Sequence, residues 1–180
     1  MSGRAAVRQV SRFRSRDPMV RRIVTSHDAA GKSVVWMDGC ATNHKYLNDR
    51  IISTLLWSTE GGTPDYTADG DGGAKLLGTA PPPGGTRFVH CEVAPGTQLG
   101  DWPALYRTDS LDYTVIISGE ISLYLDDQRV VCRAGDVIVG RGTRQAWVNE
   151  GPDPCRAVTV MIDAVPKRED SVKGMVTYLG

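Results

Sequence analysis

The sequence has almost no helix signal. No window of about a dozen residues repeats its apolar positions with a 3.6-residue period free of Gly or Pro, the basic N-terminus apart. A helical bundle is thereby excluded. Charge of one sign is missing too: 21 basic side chains face 21 acidic ones, and that balance argues against a nucleic acid or a membrane surface as the main partner. No run approaches the roughly 20 apolar residues of a membrane span, and no apolar core of a secretory leader is found, so the expected location is cytoplasmic. The four cysteines (Cys40, Cys91, Cys132 and Cys155) contain no C-x-x-C pair, which points to buried reduced thiols rather than disulfides or a zinc site. Acids are absent from the first 16 residues, where Arg4, Arg8, Arg12, Arg14 and Arg16 occur among Ser2, Ser11 and Ser15. We read a solvated basic arm there; a mitochondrial transit peptide is the alternative.

What is present is strand. Apolar or β-branched runs occur at Arg22–Ser26, Ser33–Met37, Ile51–Ser58, Arg87–Val93, Leu111–Ile117, Ile121–Leu125, Arg129–Cys132, Asp136–Val139, Gln145–Val148 and Arg156–Ile162. Ten short strands in 180 residues predict a sandwich or barrel in one domain. Turn residues separate them, at His27–Gly31, Asp126-Asp127 and Glu150–Pro154. His27 and His44 fall in turn-like stretches. The longest irregular segment, Thr59–Thr86, holds Pro81-Pro82-Pro83-Gly84-Gly85, and a connection of that length suggests a lid or a surface excursion. The expected organisation is an arm at 1–18, strands and the long connection at 19–86, a barrel core at 87–165 and a tail at 166–180. Strands within 19–58 would extend the barrel or exchange with a second copy in a homodimer.

Two spacings carry the functional signal. The first is Gly100-x5-Tyr106-x-Thr108-x3-Asp112-x6-Gly119; the second is Gly135-Asp136-x3-Gly140-x-Gly142-x2-Gln145-x3-Asn149. In strands, alternate residues share a face, so 106 with 108, 112 with 114 and 116, and 145 with 147 line one cavity. Both spacings resemble the cupin family, whose motifs set two histidines, a glutamate and a further histidine at the positions of Tyr106, Thr108, Asp112 and Gln145. The resemblance implies an all-β double-stranded β-helix, a jelly-roll barrel, with extra N-terminal strands. More narrowly the chain resembles small single-domain cupins of microbial gene clusters for polyketides and related compounds, through Arg107–Tyr113, Gly135–Val139, Arg141-Gly142-Thr143, Ala146–Asn149 and Met161–Ala164, and upstream through Arg21–Thr25, Gly31-Lys32 and Gly78–Pro83. Members of that group keep a histidine where Tyr106 and Gln145 stand; this chain departs at both.

The departure removes the donors that hold Fe, Mn or Zn, since a phenol, a hydroxyl and an amide are weak ligands and one carboxylate rarely holds such a metal alone. No metal and no cofactor are therefore expected. The remaining set suits acid/base work on a small molecule: Asp112 as general acid or base, its pKa raised by shielding from Ile116 and Trp147, and Tyr106 as proton donor or oxyanion partner. Thr108 and Gln145 would position the substrate, with Trp147 and Trp102 stacking on a conjugated one. Dehydration, isomerisation or cyclisation in polyketide-like metabolism is the expected reaction class. Against this stand a structural role, with Asp112 paired to Arg107 or Arg144, a metal-dependent oxidoreductase or dioxygenase using Asp112 and His90, and a non-catalytic binding module.

Overall fold

The computed structural model describes residues 20–65, 70–99 and 105–165. The expected arm and tail lie outside them. Among the described residues there are twelve strands and no helix. Ten coincide with the runs named above: β1 Arg21–His27, β2 Ser33–Cys40, β4 Ile51–Thr59, β5 Thr86–Val93, β7 Ser110–Ser118, β8 Glu120–Tyr124, β9 Arg129–Arg133, β10 Val137–Arg141, β11 Ala146–Asn149 and β12 Cys155–Asp163. The other two, β3 His44–Asn48 and β6 Thr97–Leu99, are corrections. β3 carries no apolar alternation and β6 has three residues, so neither gives a period to read. His44 thus opens a strand rather than lying in a turn, and its Nδ1 sits 2.9 Å from Thr54 Oγ1.

The strands form a six-stranded sheet in the order β10-β7-β12-β5-β4-β3 and a four-stranded sheet in the order β6-β11-β8-β9. Every pairing is antiparallel. The early strands divide: β3 and β4 extend the larger sheet, whereas β1 and β2 pair only with each other. That hairpin is held against β4 by Arg22, which donates to the Leu56 carbonyl at 3.0 Å and pairs with Asp71, and by an edge-on contact of Trp36 with Trp57. β4 is consequently buried along both faces.

Register fixes what the larger sheet turns inwards. Three inward rows cross β5, β12 and β7: Arg87, Met161 and Asp112; Val89, Thr159 and Thr114; Cys91, Ala157 and Ile116. Val93 opposite Cys155 follows at the far end. That end is closed by a core of Ile51, Val93, Ile116, Ile121, Leu123, Cys132 and Cys155. Burying a side chain such as Ile116 stabilises the fold by about 2 kcal/mol. Asn149, fully buried, locks the same end: its Nδ2 donates to the carbonyls of Val93 at 2.8 Å and Asp153 at 2.9 Å, and its Oδ1 accepts from Gly151 N at 3.0 Å. Gly119 makes the turn from β7 to β8 at φ +73, where a Cβ would lie 2.6 Å from the Pro154 carbonyl oxygen. No larger residue fits that approach. The row of Arg87, Met161 and Asp112 lies at the opposite end.

Candidate active site

Between the sheets is a cavity of about 450 Å³. Its walls are mostly apolar, and Tyr106, Thr108, Asp112, Ile116, Gln145 and Trp147 all line it. The long connection closes over the rim. After packing Gly72 and Gly73 against the outer side of β4, it brings Thr79, Ala80, Pro81 and Pro83 to the cavity wall. It is pinned by Gly62 N donating to the Gly84 carbonyl at 2.7 Å, by Gly84 N donating to Asp163 Oδ2 at 2.7 Å, and by Arg87 donating to the Thr79 carbonyl.

Asp112 projects inwards from β7 opposite Gly140 of β10, whose missing side chain leaves room for the carboxyl group: a Cβ there would sit 3.4 Å from the Asp112 Cβ. Ser110, on the same face two residues earlier, donates to Asp112 Oδ1 at 2.6 Å. Ser110 has one hydroxyl proton, so its 2.9 Å contact with Thr108 Oγ1 is completed by the Thr108 proton. A directed chain of hydroxyls thus ends on one carboxyl oxygen. Burial raises the Asp112 pKa, and the Ser110 hydrogen bond offsets part of that shift. Neither arginine considered as a structural partner is paired with it: Arg107 pairs with Asp109 at 3.0 Å, and Arg144 pairs with Asp126.

Tyr106 and Gln145 form an isolated two-residue bridge, with Tyr106 N donating to the Gln145 carbonyl at 2.9 Å and Gln145 N returning the bond at 2.8 Å. The two motifs therefore meet at the positions where both depart from histidine. Burial, then the neighbouring Cys91 and Asp112, hold the Tyr106 phenol far above its ordinary pKa, while its side-chain bond with Gln145 draws it partly back. The phenol stays protonated at any physiological pH.

One expected residue, Trp102, lies outside the described residues, and another is not brought to this group. His90 is buried on the opposite face of β5, beside Thr54, because the inward positions of that strand are 87, 89, 91 and 93. Its pKa is lowered, chiefly by burial, and its Nδ1 has no partner. It cannot join Asp112 in a ligand set. The cavity has instead two inward residues that the sequence reading passed over. Cys91 has its thiol pushed up by burial, and Arg87 is 5% exposed. The sequence signal for Arg87 was a charge in phase with Val89, Cys91 and Val93, legible once the inward parity of the strand is known.

A transition metal does not fit this set. Among the described residues no three His, Cys, Asp or Glu side chains cluster to hold one. The cavity offers three carboxyl groups that do not cluster, Asp109 paired with Arg107, Asp112 bonded to Ser110 and Asp163 bonded to Gly84 N, with a protonated phenol, a neutral amide and a thiol kept protonated by burial, and none of these replaces the imidazoles that such ions require.

The cupin domain family matches residues 89–161, the segment holding β5 through β12 except their outermost residues. Phomopsin biosynthesis cluster protein C' of Diaporthe leptostromiformis is 33% identical over 168 residues, covering 88% of this chain and 87% of its own. The cupin-domain-containing oxidoreductase virC of Hypocrea virens is 30% identical over 155 residues, covering 81% and 76%. Among solved structures, a cupin 2 conserved barrel domain protein from Salinispora arenicola aligns with 26% identity and a TM-score of 0.37, over 44% of this chain and 64% of its own. With a family match across the barrel, and 30% identity to a cupin-domain-containing relative of which the chain covers 76%, the chain belongs to the cupin family.

Proposed function

We propose that this cupin is a metal-independent enzyme of specialised metabolism that moves protons on a small molecule held inside the barrel. The observation that carries the reading is the Asp112 carboxyl group, oriented by Ser110 and Thr108, shielded from water and left without a cationic partner beside the protonated Tyr106 phenol. Likeness to biosynthesis-cluster proteins supports the metabolic setting.

In this reading Asp112, ionised, removes a proton from carbon next to a carbonyl. The free oxygen, Oδ2, is the base, since Oδ1 is held by Ser110. The electron pair moves onto the carbonyl oxygen, where Tyr106 donates a hydrogen bond to the developing negative charge. Protonated Asp112 then returns its proton, to a different carbon in an isomerisation or to a departing hydroxyl in a dehydration. A carboxyl pKa raised by burial suits both halves of this exchange near neutral pH. Several relatives are named oxidoreductases; a redox step on a transition metal would need imidazole donors that this cavity lacks.

The test follows deuterium uptake from D2O, by NMR, into a panel of β-keto and β,γ-unsaturated acids. Wild-type protein treated with a chelator is expected to exchange at full rate. Asp112→Asn is expected to lose roughly 100- to 10,000-fold, and Tyr106→Phe a smaller factor. Full exchange by Asp112→Asn, or loss on chelation with recovery on adding iron, manganese or zinc, overturns the proposal.

A further inference from the structure

Among the described residues lining the cavity, Arg87 is the one cation without a carboxylate partner. Its residue is 5% exposed, its Nε is buried without any acceptor, and its Nη2 makes only a 3.5 Å contact with Ser53 Oγ. The third nitrogen donates to the Thr79 backbone carbonyl. The three cavity carboxyl groups are engaged elsewhere: Asp109 pairs with Arg107, Asp112 accepts from Ser110, and Asp163 accepts from Gly84 N. Among the described residues no carboxylate forms an ion pair with Arg87. The one titratable neighbour that acts on it is Cys91, whose thiol burial keeps protonated, and burial drives the guanidinium pKa down.

A buried cation without a counter-charge is costly and is retained where something else supplies the charge. A guanidinium takes a carboxylate in a planar two-bond fork, which is the geometry its Nε and Nη2 edge presents. We propose that Arg87 is the anchor for a ligand carboxylate, so that the substrate is an organic acid with an apolar body.

Placement supports that class. Arg87, Met161 and Asp112 occupy one row across β5, β12 and β7. Adjacent strands lie about 4.8 Å apart, which sets the two backbones roughly 10 Å from each other with Met161 between. Met161 keeps the protein's own charges from neutralising one another. A carboxylate at Arg87 then directs the neighbouring carbons of the ligand across Met161 towards Asp112, while Val89, Ile116, Ile138 and Trp147 receive the apolar remainder. Binding turns the Nε edge towards the cavity and gives up the weak Ser53 contact. Arg87 selects and positions the substrate; the proton chemistry proposed above stays with Asp112 and Tyr106. The inference rests on that reading only for the identity of the site.

The experiment is calorimetric titration of the purified full chain with cinnamate and with cinnamamide, which has the same shape and no charge. Wild type is expected to bind cinnamate about 10- to 100-fold more tightly. Arg87→Gln is expected to abolish that preference while leaving cinnamamide affinity unchanged, and Arg87→Lys to keep part of it. Equal affinities in the wild type, an unchanged preference in Arg87→Gln, or no saturable binding of cinnamate at millimolar concentration overturns the proposal. Melting of the ligand-free protein guards against misfolding: Arg87→Met loses the bond to the Thr79 carbonyl but also removes an unpaired charge, so it is expected to melt close to wild type, and a marked drop would make the clamp on the Thr79 segment the main role of Arg87 and overturn the anchor. Asp112→Asn is expected to keep the preference for cinnamate over cinnamamide, so failure of the acid/base reading leaves the carboxylate anchor measurable on its own.

Discussion

Replacing Asn149 by Ala removes three buried hydrogen bonds at once. Two donated bonds, to the carbonyls of Val93 and Asp153, and one accepted from Gly151 N are all between 2.8 and 3.0 Å, and the side chain has no access to water. Each such bond contributes about 1 kcal/mol net, and stranding its buried partner adds to the loss, so the substitution is expected to cost about 3–4 kcal/mol. Against a total of roughly 5–15 kcal/mol for a domain, that is a large fraction. Urea unfolding followed by Trp fluorescence reads it as a lowered midpoint at unchanged slope. Asn149→Asp sharpens the argument, because the carboxylate keeps the acceptor for Gly151 but turns negative charge towards two carbonyl oxygens. Protonated, it can restore one donated bond. Its folded-state pKa is therefore raised, and its deficit grows as pH rises through that value. A loss under about 1 kcal/mol for the alanine variant, or an aspartate variant with the same pH profile as wild type, would refute the account of this residue as the tie between β5, β11 and the turn into β12.

Two further outcomes follow from the same structure. The Asp112 pKa is raised by burial, so the folded chain holds that proton more tightly than the unfolded one; its contribution to stability is fully present below the unfolded pKa and is lost as pH rises through the folded one. Asp112→Asn is accordingly expected to flatten this part of the stability profile and to melt no lower than wild type at pH 7, as measured by calorimetry across pH. A clear loss of stability at neutral pH would mean that the carboxylate is a structural partner after all. Gly119→Ala combines a left-handed backbone with a 2.6 Å approach to the Pro154 carbonyl oxygen; it is expected to cost at least about 2 kcal/mol in urea unfolding, and a neutral outcome would contradict the turn geometry.

The barrel was legible in the sequence because alternation and turn chemistry agree along most of it. Leu111–Ile117 and Gln145–Val148 each set one parity, and the structure places Asp112, Thr114, Ile116, Gln145 and Trp147 on the cavity side as that parity requires. β5 gave no such guidance. Its residues are buried or half-buried along the whole strand, since β4 and β12 flank it and both faces are covered, so polarity did not distinguish His90 from Cys91. The histidine was the more conspicuous residue, and it faces away. Arg87 was hidden by the same ambiguity. The path of the Pro-rich connection was equally unreadable, because it is set by a bond between its own two ends, Gly62 with Gly84, and by bonds to Arg87 and the distant Asp163, and not by any local period.

That connection gives the molecule a division of labour with evolutionary reach. The strand ladder and the closed core set where Asp112 and Tyr106 point, while Thr79–Pro83 walls the rim through few bonds to the barrel. Residues can be inserted, deleted or exchanged in the segment without disturbing a single ladder pairing. Relatives sharing one scaffold could thus diversify the molecules they accept at little expense in stability, and recombining this short segment between them offers a direct route to redirecting the barrel.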